Sequence, residues 1–181
     1  MNIIDRSEAI EKIATNTLNS LSHEERESQL LNWWSIDESN PDFFSLSETL
    51  QQTILANDDL PYDIQDSKYN ELILLALRSA YKGVTNSFLS RELNSLNIGK
   101  YETHGKVELL EACPCCGYRT LPSLANYEVC DLCSWEDDGT SELENYSPPN
   151  HMTLREAKEK FSKKTEDLPL DKWINSKTQA L

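Results

Sequence analysis

The chain has 181 residues, with 31 acidic side chains against 17 basic ones and a formal net charge of -14. That surplus repels phosphates and anionic lipid surfaces, so nucleic-acid or membrane attachment by bulk charge is disfavoured, and the natural partners are cationic or neutral. Hydrophobic residues make up 38% of the chain, enough to build a core for one large domain or two small ones.

The start, Met1-Asn2-Ile3-Ile4-Asp5-Arg6, has neither the basic opening nor the apolar stretch of a secretion signal. The longest apolar run, Leu72 to Leu77, is far short of the roughly 20 residues of a membrane span. A cytoplasmic location is therefore expected. The first hundred residues read as short helices. Ser22 with Glu25 forms a capping box ahead of Leu30, Leu31, Trp33 and Trp34, and Ser45 with Glu48 repeats it ahead of Leu50, Ile54 and Leu55. Asp66 or Ser67 caps the most apolar helix, about 68–82, which Gly83 stops. Thr85 caps the next, with Phe88, Leu89, Leu93 and Leu96, and Gly99 suits its left-handed exit. Asn40-Pro41 and Leu60-Pro61 break the chain between helices. The paired tryptophans and apolar stripes are core rather than a cofactor pocket, because aromatics at helical spacing bury against neighbouring helices. Nothing in this half supplies a nucleophile with its base or a phosphate loop.

From residue 107 the pattern changes. Val107 to Leu110 is a candidate strand, and Tyr127-Glu128-Val129 alternates like one. All five cysteines fall between Cys113 and Cys133. An odd number is a poor disulfide framework, whereas reduced thiols are available to a metal. Cys113, Cys116, Cys130 and Cys133 form two Cys-x-x-Cys pairs separated by 13 residues. A two-residue gap lets one tight turn aim two sulfurs at one point, and Gly117 can take the positive φ that closes the turn. Two such knuckles supply four thiolates to a structural zinc ion with no open coordination position. Iron could occupy the same geometry. A thioredoxin-type redox pair at Cys113 and Cys116 needs a helix starting there, which Gly117 and the run to Pro122 oppose. The spare thiol, Cys115, should point away from the metal as a packing residue. His151 is the only other ligand candidate nearby, as part of a Cys3His site. His23 and His104 have no partners in sequence.

Beyond the second knuckle, Trp135-Glu136-Asp137-Asp138 opens an acidic loop with five carboxylates in residues 136–144. It lacks the pattern of an EF-hand and reads as a solvated loop anchored by Trp135, or equally as a docking surface for a basic partner. Thr153 with Glu156 forms another capping box, opening a helix through Ala157 and Phe161. Lys158, Lys160, Lys163 and Lys164 gather near its end, where they complement the helix dipole. The tail with Leu168, Leu170, Trp173 and Ile174 is expected to fold back on the body.

These residues resemble the bacterial cysteine-rich CPCC family. The likeness runs through Cys113-Pro-Cys-Cys-Gly-Tyr118, Tyr127-Glu-Val-Cys130, Cys133-Ser-Trp-Glu-Asp-Asp-Gly139 and Asn150-His-Met-Thr-Leu-Arg-Glu-Ala157, about residues 110–162. The helical amino-terminal half, with Leu31-Asn-Trp-Trp34 and Asp66-Ser-Lys-Tyr69, looks like an extension carried by some members. The resemblance implies a small zinc-binding domain of poorly defined role, supports Cys113, Cys116, Cys130 and Cys133 as ligands, and makes His151 a family position.

The expected architecture is α+β: a mainly helical region over 1–105, then a zinc ribbon of short β-hairpins with a carboxy-terminal helix over 106–181. The expected function is that of a non-catalytic, zinc-stabilised acidic protein that binds another protein. The leading form is an immunity protein or antitoxin that neutralises a basic bacterial toxin domain through complementary charge. Trp135, Glu136, Asp137 and Asp138 are the candidate docking residues. The alternatives are a regulatory or nucleic-acid-associated zinc ribbon, although Arg119 is the only base between the knuckles, and a metal-dependent hydrolase, which would need an open metal position.

Overall fold

A computed structural model describes residues 2–177. The architecture is α+β, with helices dominating the first half and two-stranded antiparallel hairpins followed by a helix in the second. The chain divides into two compact units. Among the described residues, 2–81 and 92–101 form the first, and 82–91 and 102–177 form the second.

The first unit opens with a short strand, β1 (Asn2–Asp5), and a helix, α1 (Arg6–Ser20). The sequence reading omits this helix. Its signals are weak, since its buried apolar positions Ala9, Ile13 and Ala14 are few and mostly small. Asp5 caps it by accepting the Ser7 amide at 2.8 Å. Helix α2 (His23–Trp33) starts at the expected capping box, where the Glu25 amide donates to Ser22 Oγ and the Ser22 amide donates to the Glu25 carboxylate. Helix α3 (Glu48–Leu55) corrects the next expectation. Its N-cap is Ser47, while the Ser45 hydroxyl donates to the Asp42 carbonyl within a 3-10 turn, Pro41–Ser45. Proline at the start of that turn draws the chain into its own short helix and moves the cap two residues on.

Helix α4 (Asn70–Ser79) follows a 3-10 turn over Ser67–Tyr69, which Asp66 caps through the Lys68 amide. Both α1 and α2 pack on α4. Apolar residues at 72, 73, 75, 76 and 77 leave α4 buried on most of its circumference. Leu30, Phe43, Tyr69, Leu72 and Ile73 are the fully enclosed centre of this core. Trp34 meets Tyr69 edge to face at 5.7 Å and donates its indole N–H to the Asn57 carbonyl at 2.9 Å. The reading of the aromatic stripe as core therefore holds for Trp34, while Trp33 packs partly buried at its margin.

Helix α5 (Asn86–Ser95) begins in the second unit and ends in the first. Thr85 caps it by accepting the Phe88 amide. Two residues with positive φ follow it, Asn97 at +57° and the expected Gly99 at +149°. Strand β2 (Tyr101–His104) follows.

In the second unit, the expected strand at Val107–Leu110 forms later, at β3 (Glu111–Ala112). It pairs with β4 (Arg119–Leu121) across an irregular register. Strands β5 (Glu128–Val129) and β6 (Glu136–Asp137) form the second hairpin, with Glu128 opposite Asp137. Strands β7 (Tyr146–Ser147) and β8 (Met152–Thr153) form the third. Helix α6 (Leu154–Ser162) leaves β8 directly through the predicted Thr153–Glu156 capping box. The tail folds back as expected. Trp173 is buried and bridges to Val84, the Arg119 amide donates to the Ile174 carbonyl, and the Ser176 amide donates to the Gly117 carbonyl. No helix among the described residues is long and apolar enough to cross a membrane.

Candidate metal centre

Each Cys-x-x-Cys pair sits at the tip of a hairpin, and the two tips share one hydrogen-bond pattern. In the first knuckle the Cys113 amide donates to the Tyr118 carbonyl and the Gly117 amide donates back to the Cys113 carbonyl, both at 2.9 Å. In the second, the Cys130 amide donates to the Trp135 carbonyl and the Ser134 amide donates to the Cys130 carbonyl, both at 2.8 Å. The residue after the second cysteine is left-handed each time, Gly117 at φ +80° and Ser134 at φ +61°. A side chain there costs about 1 kcal/mol or more. Ser134→Gly should therefore stabilise the second unit by about 0.5–1 kcal/mol, and Gly117→Ala should destabilise it by about 1–2 kcal/mol. A Cβ on Gly117 meets nothing closer than Ser176 Oγ at 3.8 Å, so its cost is one of backbone conformation alone. Thermal melts of the two variants check both signs.

The knuckles bring all four sulfurs together. Cys113, Cys116, Cys130 and Cys133 place their Sγ atoms within 4.8 Å of one another, and the Cys113–Cys133 and Cys116–Cys130 pairs stand at 3.7 Å. Four thiolates at the zinc–sulfur distance of about 2.3 Å define a tetrahedron with edges of about 3.8 Å. The donor set therefore fits a tetrahedral, thiophilic cation. It is the only group of histidine, cysteine or carboxylate side chains among the described residues arranged to share one. Four acidic groups at such distances cannot all ionise unaided. Cys113, Cys116 and Cys133 crowd their hydrogen bonds onto Cys130, with help from the Thr120 hydroxyl, and hold its thiol well below the usual range. Contacts with Cys113, Cys130 and Cys133, that with Cys113 foremost, push Cys116 up. A divalent cation relieves this conflict by displacing the protons.

The surrounding groups suit a negatively charged centre. Thr120 Oγ1 donates to Cys130 Sγ at 3.0 Å from a buried position. The Lys158 ammonium, carried on α6, donates to the Pro114 carbonyl and to the Cys115 carbonyl at 3.3 Å. It thus places a positive charge over the first knuckle, where four thiolates and a divalent ion would leave two net negative charges. One of the lysines read from sequence as a solvated helix end is thereby part of the support for the centre. Cys115 lies outside the four-sulfur cluster and is 6% exposed, in agreement with a packing role. His151 is exposed, left-handed at φ +54° and absent from the cluster, so the centre is four-sulfur rather than Cys3His.

The acidic segment lies differently from a free loop. Trp135 and Asp137 are each 2% exposed. Asp137 accepts the Ala125 amide at 2.8 Å and the Gly139 amide, which ties together the segments that enter and leave the second hairpin at the end away from its turn. Asp138 is half-buried and accepts the Ser147 hydroxyl and the Thr140 amide. Glu136 is also half-buried. Asn150 reads its backbone at both ends, its amide group donating to the Glu136 carbonyl and its carbonyl accepting the Glu136 amide. Of the four candidate docking residues, only Glu136 and Asp138 therefore present any surface. Asn150 was not singled out for this role, and the spacing of 14 residues carries no local sequence signal. Arg119 turns one guanidinium nitrogen to the Leu110 carbonyl at 2.9 Å, so the one base between the knuckles is spent on structure.

Residues 111–165 match the family model described as cysteine-rich CPCC. This segment is a cysteine-rich CPCC domain. The match opens at β3 and closes just past α6, so it takes in both knuckles, all three hairpins and the lysine that covers the first knuckle. It leaves the helical first unit outside the CPCC domain. No curated protein and no solved structure matches the chain.

Proposed function

We propose that the CPCC domain holds a structural zinc ion on Cys113, Cys116, Cys130 and Cys133, and that the protein is a non-catalytic cytoplasmic binding protein for a basic partner. The four-sulfur geometry carries the first half of this reading. Four thiolates fill a tetrahedral shell and leave no position for substrate or water, so the ion acts as a cross-link between two knuckles rather than as a Lewis acid. Redox-inert zinc suits that task better than iron.

The second half rests on charge. A net charge of -14 on 181 residues favours rapid, salt-sensitive association with a cationic protein. A toxin domain that attacks nucleic acid is the partner class that this field fits best, which makes an immunity or antitoxin role the specific form of the proposal. Glu136 and Asp138 are the residues of the acidic segment that such a partner could meet. A nucleic-acid-binding ribbon is less well supported, because Arg119 and Lys158, the bases at the first knuckle, are both engaged with backbone carbonyls.

Tagged full-length protein, expressed in its host together with the neighbouring reading frame, tests the proposal. A stoichiometric basic protein, with an association rate that falls as salt rises, is the expected result. Recovery of no protein partner, or of nucleic acid alone, contradicts it.

A further inference from the structure

The second unit contains a cavity of about 500 Å³ beside the metal centre, a size typical of small-molecule sites. Its apolar lining includes Leu132, Trp135, Met152 and Phe161. Its charged lining is two lysines, Lys160 and Lys164, and no carboxylate. In a chain where acids outnumber bases 31 to 17, this is a local reversal of sign. Lys160 lies on the face of α6 that carries Ala157 and Phe161, which also line the cavity, and Lys164 follows two residues past the end of the helix. Neither lysine pairs with a carboxylate among the described residues, in contrast to Lys12 and Lys68 of the first unit. Trp135 supplies a spectroscopic reporter in the same wall. The indole N–H of Trp135 is buried and has no acceptor among the described residues, although buried indole donors normally find one.

A largely apolar chamber with two ammonium groups at its wall, neither paired with a carboxylate, has one complement. We propose that this cavity binds a small organic anion, a carboxylate or phosphate carried on an apolar body. The anionic head meets Lys160 and Lys164, and the body packs on Trp135, Met152 and Phe161. The site is distinct from the acidic surface assigned to a basic partner, and neither depends on the other. Because Cys133 and Ser134 also line the cavity, its occupant lies against the second knuckle.

Three probes separate the parts of this proposal: naphthalene-1-acetate, the neutral naphthalene-1-acetamide with the same body, and inorganic phosphate with no body. Each is titrated into the full-length, zinc-supplemented chain labelled with nitrogen-15, and the Trp135 indole signal is followed. Naphthalene-1-acetate should shift that signal saturably. The amide and phosphate should each bind at least about tenfold more weakly. The double variant Lys160→Gln, Lys164→Gln changes only exposed side chains, and it should weaken naphthalene-1-acetate by about tenfold while metal content and the other indole signals stay unchanged. Equal binding of the acetate and the amide, full binding by the double variant, or an unmoved Trp135 signal at saturating naphthalene-1-acetate would each overturn the site, as would a failure of that probe to bind.

Discussion

Cys130→Ser should empty the metal centre and unfold the knuckles of the CPCC domain. Structural zinc is worth about 10–16 kcal/mol in small peptides, against about 5–15 kcal/mol for the whole stability of a typical domain. The hairpins that carry the ligands cannot make up such a loss. Strands β3, β5 and β6 are two residues each, and isolated two-stranded hairpins are marginal in water. Cys130 also accepts the buried Thr120 hydroxyl, a charge-assisted bond to thiolate that a neutral serine would weaken. Hydrogen exchange on the full chain should show the amides of Cys113, Gly117, Cys130 and Ser134 losing protection, while those in α4 keep theirs. Metal content should fall with them. Cys115→Ser is the control, because its sulfur lies outside the cluster, and it should keep both metal and protection. A metal-replete Cys130→Ser protein, or a stripped Cys115→Ser protein, would show that the ligand set is different.

Arg26→Met should destabilise the first unit by about 2–4 kcal/mol: three hydrogen bonds from a charged donor, worth about 1.5–3 kcal/mol each, are lost together, and the desolvation of the guanidinium, which methionine avoids, offsets part of that sum. Arg26 is 6% exposed in α2. Its Nε donates to the Ile64 carbonyl at 2.5 Å, and an Nη donates to the Asp66 carbonyl at 2.9 Å and to Asn70 Oδ1 at 2.7 Å. One side chain thereby fixes the loop before α4 and the first turn of α4 itself. Burial lowers the affinity of this guanidinium for its proton, with Asp66 partly offsetting the effect, yet arginine stays charged at any ordinary pH. Lysine cannot reproduce the fork, so Arg26→Lys should recover little of the loss. Urea denaturation followed by helical circular dichroism measures both variants. Stability of Arg26→Met within about 0.5 kcal/mol of the parent would mean that these bonds do not hold the loop.

The features read correctly from sequence are those whose causes lie within a few residues. Two capping boxes, at Ser22 and Thr153, need only a four-residue pattern, and both form as expected. The knuckles are local as well. Each is a six-residue turn, and Gly117 announces the left-handed position that Ser134 occupies without announcing it. What escaped the sequence depends on contacts far along the chain. Arg26 looks like one more charge on an acidic helix, because its acceptors lie 38 to 44 residues away. Asp137 looks solvated because charge usually is, but it is enclosed where it accepts an amide 12 residues earlier. Lys158 reads as a helix-end lysine until α6 brings it over a carbonyl 44 residues back. The strand expected at Val107–Leu110 shows the converse fault. Local hydrophobicity suggests a strand, but pairing with Arg119–Leu121 places the ladder at Glu111–Ala112.

The central claim is a four-sulfur zinc centre that binds the two knuckles together. Zinc K-edge X-ray absorption on the purified full-length chain tests it most directly. The geometry predicts one zinc per chain with four sulfur neighbours at about 2.3 Å and no nitrogen or oxygen in the shell. Fewer than four sulfurs, a histidine nitrogen, or cysteines oxidised to one another would contradict it.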